Sequence, residues 1–431
     1  MSAATSTVPP SAPFQVESVH FDFPGGRAIG LRDHVSDQPI GANPEWVHGV
    51  RNELAAYVRG TRPNLRVIFR GNPGANGQYT VGADGTPVQV EERSVLLTFD
   101  PTTGLSGPEV FEARDTLPDL IGIHDVRLDW YVREQPSPAP CPPAGTSTHR
   151  LATNWRSLAS AAVGEAALPN WVYRPLMEWT CQWAAGQNDA REICDAIFKN
   201  LPSSGLRYGV NAHTVRDLLL NQGGMCGAWY KTFQQMAQCQ GVFVYRRRFL
   251  VDWRHVAGGE EHWCAIVVKS GGLNQASPTH PASTFHDHDG VFPIPAGTTV
   301  PLTTITEPRY RFWGLPGFWY DGHCINFLVY QGKLYLYDAC FGFGSVEIQS
   351  PLPPDNLAVP QGGAALDPFR TAYLDGAIDF MLGTVRNGTA LLRSLFVYPP
   401  GLPLANGMTV RTANIPQNVG GLDGLTFRWG N

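Results

Sequence analysis

Residues 323–342 read HCINFLVYQGKLYLYDACFG, and this stretch decides the reading of the second half of the chain. Two runs rich in aliphatic and aromatic residues flank Gln331-Gly332, which predicts a β-hairpin with strands over 324–330 and 333–339 and its turn at that dipeptide. His323 opens the first strand and Asp338 closes the second. A hairpin brings its two ends together, so a histidine and a carboxylate at this spacing make a natural cross-strand pair. The carboxylate would hold the imidazole in one tautomer, leaving it free to deprotonate a nucleophile.

The candidate nucleophile lies about a hundred residues upstream, in NQGGMCGAWYKTFQQMAQCQGV at 221–242. A Gly-Gly turn leads into Met225-Cys226, and an amphipathic helix over 226–241 begins there, ended by Gly241. Cys226 thus stands at a helix N-terminus, where unpaired N–H groups and the positive end of the dipole favour a thiolate. The same N–H groups can donate to a developing oxyanion. Gln222, four residues before the cysteine, and Trp229, one turn after it, are side-chain candidates for that donor. A cap for Gln222 and core packing for Trp229 are the simpler readings, and the Cys226 N–H is the preferred donor.

Gly224-Met225-Cys226 with its helix, together with His323, Asn326, Gly332-Lys333, Tyr335 and Asp338-Ala339, resembles the transglutaminase-like superfamily, whose core is papain-like. The order Cys, His, Asp and the His-to-Asp spacing agree with that family. The resemblance covers roughly 186–345. It departs from the family in the long Cys-to-His gap, attributed to an insertion at 271–320, and in Cys324-Ile325, where Ala-Trp is common. The resemblance implies a Cys226–His323–Asp338 triad that attacks amides of proteins or peptides and forms a thioester, with no cofactor. Hydrolysis by a protease or amidase is favoured over amine transfer, because without a dedicated amine site water resolves the acyl-enzyme. Trp229, Trp263, Trp313 and Trp319 are candidates for an apolar wall around an amine tunnel, and core packing explains them equally. An inactive structural or binding protein that keeps the fold is one alternative. A toxin or effector carried by an injection apparatus or phage-like particle is another.

Two rival sites are weighed against this reading. His262 also opens a strand, 262–269, but fifteen residues after it stands Ser277, so no carboxylate orients it. His280, His286, Asp287, His288 and Asp289 bear metal-ligating groups, yet no helix orders them, and a polar loop is the expectation, with no metal site.

The rest of the chain sets the context. It has 431 residues, 32 Lys+Arg against 37 Asp+Glu, a net charge of −5 and only 16% charged residues. With 43% hydrophobic and 11% aromatic residues it carries enough apolar mass for a core and is not disordered as a whole. The lack of a basic excess argues against nucleic acid as a partner. Arg246-Arg247-Arg248 reads as a solvated strand face. No apolar run approaches membrane-spanning length, and the first residues, MSAATSTVPPSAPF, lack the pattern of a secretory signal. A cytoplasmic protein, or one exported by a non-classical route, is expected. The eight cysteines include no CxxC pair, and reduced thiols are the default.

The predicted organisation is a multi-domain chain. After a flexible tail at 1–13, residues 14–134 form an all-β, immunoglobulin-like sandwich that docks the enzyme onto a partner. Its strands are 14–23, 64–71, 94–100, 109–114 and 124–134, and a short helix falls at 44–60. Residues 135–147, QPSPAPCPPAGTS, read as a Pro-rich linker. Residues 148–345 form an α+β catalytic domain. It has helices at 171–186 and at 189–201, where Ile193, Ile197 and Leu201 recur at i, i+4, i+8, and strands that include 242–251. Residues 346–431 form a C-terminal extension, with a helical face over 368–382 and later strands in SLFVYP, MTVRTANI and LTFRWG.

Overall fold

The computed structural model describes residues 12–22, 29–40, 44–134, 142–163, 165–208, 212–253, 260–268, 283–287, 290–294, 323–340, 342–349, 378–387, 390–398 and 425–430. For 134, 207–208, 247–253, 260–268, 283–287, 290–294, 323, 378–387, 390–398 and 425–430 the description is of the backbone alone. The chain is β-rich, and it divides into two compact units. The first comprises 1–161, 166–188 and 239–242; the second comprises 162–165, 189–238 and 243–431.

The first unit is built from β1 (Phe14–Asp22), β2 (Gly30–Arg32), β3 (Pro39–Ile40), β4 (Trp46–Val47), β5 (Arg51–Asn52), β6 (Leu54–Val58), β7 (Asn64–Gly71), β8 (Gly77–Thr86), β9 (Val90–Leu97), β10 (Glu109–Glu112), β11 (Gly122–Glu134) and β12 (Pro143–Asn154). One five-stranded sheet runs β10-β7-β1-β4-β5, and a second runs β6-β12-β11-β8-β9. Period-2 alternation supplies the core between them. Leu65, Val67 and Phe69 of β7 and Val126, Leu128, Trp130 and Val132 of β11 are buried in a single cluster. In β1 the buried positions change parity, from Phe14 and Val16 to Val19 and Phe21, because a bulge between Val16 and Ser18 shifts the register against β7. Burial of each such side chain contributes roughly 1.5–3 kcal/mol.

A third layer covers the outer face of the second sheet. β13 (Trp171–Tyr173) pairs with β2, and α1 (Arg174–Trp183) follows it directly. Met177 and Cys181 of α1 join Leu54, Ala56, Ala152, Val172 and Cys239 in a separate apolar cluster. β6 is therefore buried on both faces, with Ala55 and Tyr57 in the inter-sheet core and Leu54 and Ala56 under α1.

Several expectations need correction here. Residues 44–60 form no helix; they supply β4, β5 and β6. The expected helix at 171–186 begins as a strand and turns helical at Arg174. The proposed linker at 135–147 is not an inter-domain spacer. Its residues 143–147 lie in β12, which pairs antiparallel with β11 and parallel with β6; residues 135–141 lie outside the described ones. Proline is tolerated at the first position of a strand, which is where Pro143 sits. The sequence boundary between the units accordingly falls near 188–189, not at 135–147.

The second unit contains α2 (Ala190–Asn200), β14 (Arg207–Tyr208), α3 (Val215–Asn221), β15 (Gly223–Gly224), α4 (Cys226–Cys239), β16 (Tyr245–Trp253), β17 (Glu260–Val268), β18 (Ser283–Asp287), β19 (Gly290–Ile294), β20 (His323–Tyr330), β21 (Lys333–Asp338), β22 (Phe343–Ile348), β23 (Ile378–Asn387), β24 (Ala390–Tyr398) and β25 (Leu425–Gly430). The terminal Cys239 of α4 is grouped with the first unit. One sheet is ordered β22-β21-β20-β16-β25 and another β19-β18-β17-β23-β24. The strand that carries His262 thus belongs to a different sheet from the 323–342 hairpin.

The segment 346–431, expected as an extension, supplies strands to both sheets: β25 pairs with β16, and β23 with β17. Residues 378–382 of the expected helical face lie in β23; 368–377 and MTVRTANI at 408–415 lie outside the described residues. Within the presumed insertion at 271–320, β18 and β19 extend the β17 sheet.

Three rings clamp the helices of this unit to the hairpin. Phe198 of α2, Phe233 of α4 and Tyr337 of β21 meet with centroids 6.0, 5.5 and 5.1 Å apart. The Tyr337 hydroxyl donates to Asp195 Oδ1 at 2.5 Å, and the Ser345 hydroxyl donates to the same oxygen at 2.5 Å. Asp189 caps α2 by accepting from the N–H groups of Arg191 and Glu192, and its other oxygen accepts from the Tyr330 hydroxyl.

Candidate active site

The approach to Cys226 is set by a compact run of caps and turns. Thr214 caps α3, and Gln222 ends it in the left-handed region with φ 54. Gly223–Gly224 then pairs with Arg207–Tyr208. Gly224 is required by close packing: a Cβ there would stand 2.8 Å from Leu218 Cδ1, 3.0 Å from Ala228 Cβ and 3.1 Å from the Ala212 carbonyl oxygen. That same carbonyl accepts from the Met225 N–H at 2.9 Å, and the Met225 carbonyl accepts from Ala228 and Trp229 to start α4. Cys226 is therefore the first helical residue, where backbone N–H groups have no partner within the helix.

Among the described cysteines Cys226 is half-buried, while Cys181, Cys194, Cys239, Cys324 and Cys340 are buried. Burial pushes the Cys181 thiol up to about 12 and raises Cys194 and Cys239 as well, so these remain protonated.

The hairpin forms as its sequence predicts. Gln331 and Gly332 both have positive φ, 50 and 74, as a type I′ turn demands, and Tyr330 pairs with Lys333. The ladder runs to Asn326 opposite Tyr337. Continued by one step it sets Ile325 opposite Asp338, so His323 occupies the diagonal position two residues on. His323 also pairs with Phe249 of β16; its side chain lies outside the described residues. Asp338 is fully buried, and one of its carboxylate oxygens accepts from the Cys340 N–H at 3.0 Å. The Asp338 carbonyl accepts from the Gly342 N–H at 2.8 Å, closing the turn after β21.

That turn carries a residue the sequence reading did not single out. Burial, above all, and the neighbouring Cys226 and Asp338 push the fully buried Cys340 thiol upward. Cys340 thus neighbours both the candidate nucleophile and Asp338, to which its N–H donates. A cysteine two positions beyond the aspartate was visible in DACFG, but without the helix start beside it nothing marked it.

The oxyanion candidates separate. Gln222 is exposed and serves as the C-cap of α3, its N–H donating to the Leu218 carbonyl. Trp229 is fully buried, and its indole Nε1 has no hydrogen-bond partner among the described residues. Asn326, also fully buried, has neither amide atom partnered among them. It lies two residues from Cys324 along β20, hence on the same face. Exposed His213 was also missed: a Cβ on Gly227 would stand 3.7 Å from its Nδ1, and its carbonyl accepts from Lys231 Nζ at 3.1 Å. No sequence motif marks it, since its approach to α4 depends on the turn through Gly223–Gly224.

The remaining candidates lie in other strands or outside the described residues. His262 is placed by its backbone alone, opposite Val385 in the β17 sheet. His286 and Asp287 lie in β18, while His280, His288 and Asp289 lie outside the described residues, as do Trp313 and Trp319. Arg246–Arg248 lie in β16, and the Arg246 guanidinium stands 5.8 Å from the Tyr230 ring centre. Among the described residues no helix is long and apolar enough to cross a membrane.

The sequence matches no protein-family model and no curated protein.

Proposed function

We propose that the second unit is a transglutaminase-like cysteine enzyme in which Cys226 attacks an amide carbonyl of a protein or peptide and forms a thioester. The observation that carries this reading is the meeting of two separate pieces of sequence. The half-buried thiol at the start of α4 is a neighbour that acts on Cys340, in the turn that follows Asp338, the last residue of the hairpin opened by His323. His323 would take the thiol proton and later deliver it to the leaving amine, with Asp338 orienting the imidazole. The N–H of Cys226, at the open end of a helix, would donate to the oxyanion, and the unpartnered Trp229 indole is the side-chain donor favoured over the exposed Gln222. Water would resolve the thioester, making the enzyme a protease or amidase. The sandwich of the first unit, read as immunoglobulin-like, would bind the partner that brings substrate.

The test combines thiol labelling with product analysis. With glutamine-containing peptides and a labelled primary amine, ammonia release should exceed amine incorporation, and Cys226→Ala should abolish both. His323→Asn and Asp338→Asn should each lower turnover by about 10²-fold or more, while His213→Asn should have a small effect. Turnover that survives Cys226→Ala would sink the reading. Loss of turnover in His213→Asn with retention in His323→Asn would move the base to His213, and amine incorporation in excess would make the enzyme a transferase.

A further inference from the structure

On the reading of Cys226 as the acyl-transfer nucleophile, we propose that the solvent-facing stripe of α4 beginning at Cys226 is a subsite for an acidic peptide. Lys231, with Arg246 beside it, binds the carboxylate of an Asp or Glu side chain about two residues from the amide that Cys226 attacks. Over the first two turns of α4, Ala228, Trp229, Thr232 and Phe233 are buried, while Cys226, Gly227, Tyr230 and Lys231 are half-buried. Residues four apart lie one above the other on a helix, so Tyr230 follows Cys226, and Lys231 follows Gly227, along one stripe. A rise of about 1.5 Å per residue sets Tyr230 roughly 6 Å beyond Cys226 along the axis. An extended chain advances about 3.3 Å per residue. A peptide with its reacting carbonyl at Cys226 and its backbone along the stripe therefore reaches the level of Tyr230 and Lys231 with its second residue.

Lys231 is the only charged residue of α4, and its head group is held at this level. Its Nζ donates to the His213 carbonyl oxygen at 3.1 Å, and the same oxygen stands 3.9 Å from where a Cβ on Gly227 would sit. The ammonium is thereby drawn back toward the residue after Cys226. It lies 5.9 Å from the Tyr230 ring centre, and the Arg246 guanidinium lies 5.8 Å from the same centre. Two cations thus converge on one aromatic ring a single helical turn from the thiol. An ammonium has three donors; the His213 carbonyl takes one, and among the described residues no carboxylate pairs with Lys231. Between 206 and 246 the sequence has one acid, Asp217, against Arg207, Arg216, Lys231 and Arg246. Asp217 accepts from the Thr214 hydroxyl at 2.6 Å, at the start of α3. Positive charge with further donors favours a carboxylate here and disfavours a basic side chain.

The experiment measures binding in full-length Cys226→Ala, which forms no thioester, and turnover in the unaltered chain. The probes are fluorescent glutamine-containing peptides, identical except for Glu or Lys two residues to either side of the glutamine, read by anisotropy at low and high salt. At least one Glu peptide should bind Cys226→Ala about tenfold more tightly than its Lys counterpart, with the difference shrinking at high salt. In the same background Lys231→Gln and Arg246→Gln should each reduce the preference, and Lys231→Glu should reverse it. Equal affinity for the Glu and Lys peptides, no measurable binding of any of them, or a preference that survives Lys231→Glu overturns the proposal. Acid-selective binding that Lys231→Glu reverses, with no turnover by the unaltered chain, keeps the subsite and removes the acyl-transfer reading. Turnover abolished by Cys226→Ala, with no acid preference in binding, keeps the acyl-transfer reading and removes the subsite.

Discussion

A single imidazole in the sandwich core has a measurable consequence for stability. His149 is 3% exposed, and its ring meets Phe21 and Trp46 edge-on at 4.9 and 5.9 Å. Its Nε2 lies 2.8 Å from the Ser147 hydroxyl, which also accepts from the Trp130 indole N–H, while Nδ1 has no partner among the described residues. Desolvation by burial lowers its pKa to about 3, so the native state keeps the ring neutral. The unfolded chain binds a proton near pH 6.5. Stability is thus full above about pH 6.5, falls as pH drops from there, and levels again below about 3, at up to ~1.4 kcal/mol per pH unit. His149→Phe should flatten this component of the pH dependence, read as a smaller slope in urea-unfolding free energy between pH 4 and 6. An unchanged slope would place the acid sensitivity on the carboxylates alone. Nothing in the sequence distinguishes His149 from an exposed strand histidine, because its burial follows from β12 lying inside a sheet, and that pairing is non-local.

Elements were legible where local chemistry decides them and misread where both faces are covered. Asp189 followed by Ile193, Ile197 and Leu201 marks α2, because a cap and an i, i+4 stripe are both local. The 323–342 hairpin was legible for the same reason. By contrast, Leu54, Ala55, Ala56 and Tyr57 are buried in succession, since β6 lies between the sandwich core and α1; a continuous apolar run carries no period-2 signal and resembles a helix. The candidate site joins elements more than a hundred residues apart, so Cys226 and the hairpin were readable one at a time, while Cys340, which only the fold sets near α4, was not. The turn before α4 provides the test at this scale. Gly224→Ala places a Cβ against Leu218, Ala228 and the Ala212 carbonyl, so β15 must shift and the Met225–Ala212 hydrogen bond weaken. The expected cost is about 1–3 kcal/mol, together with slower alkylation of Cys226 at neutral pH. Gly227→Ala, whose nearest contact would be His213 Nδ1 at 3.7 Å, should be neutral or should stabilise α4 by up to about 1 kcal/mol. Equal tolerance of the two substitutions, in thermal unfolding and in labelling rate, would remove the packing argument for Gly224.

At the scale of the whole molecule, the first unit has strands on both sides of its most Pro-rich stretch. β11 and β12 pair from Gly122 opposite Thr153 to Tyr131 opposite Pro143. β12 also holds β6, so it is an interior strand of its sheet. The segment 135–141 therefore connects neighbours in one sheet, and a cut within it leaves the β11–β12 pairing from Gly122–Thr153 to Tyr131–Pro143 on the two pieces intact. A specific protease site introduced within 135–141 should, after cutting, leave both pieces eluting together at the size of the intact chain, separating only in denaturant. A chain that starts at residue 150 begins in the middle of β12. It keeps Arg150–Asn154 but lacks both strands with which β12 pairs, β11 and β6, and Val172, Met177 and Cys181 lose Leu54 and Ala56 from their cluster. Such a fragment should aggregate or show no cooperative unfolding, whereas the nicked chain should unfold with a melting temperature within a few degrees of the uncut protein. Two separately folded pieces released from the nicked chain under native conditions would mean that β12 is dispensable to the sandwich and that the boundary does lie at the prolines.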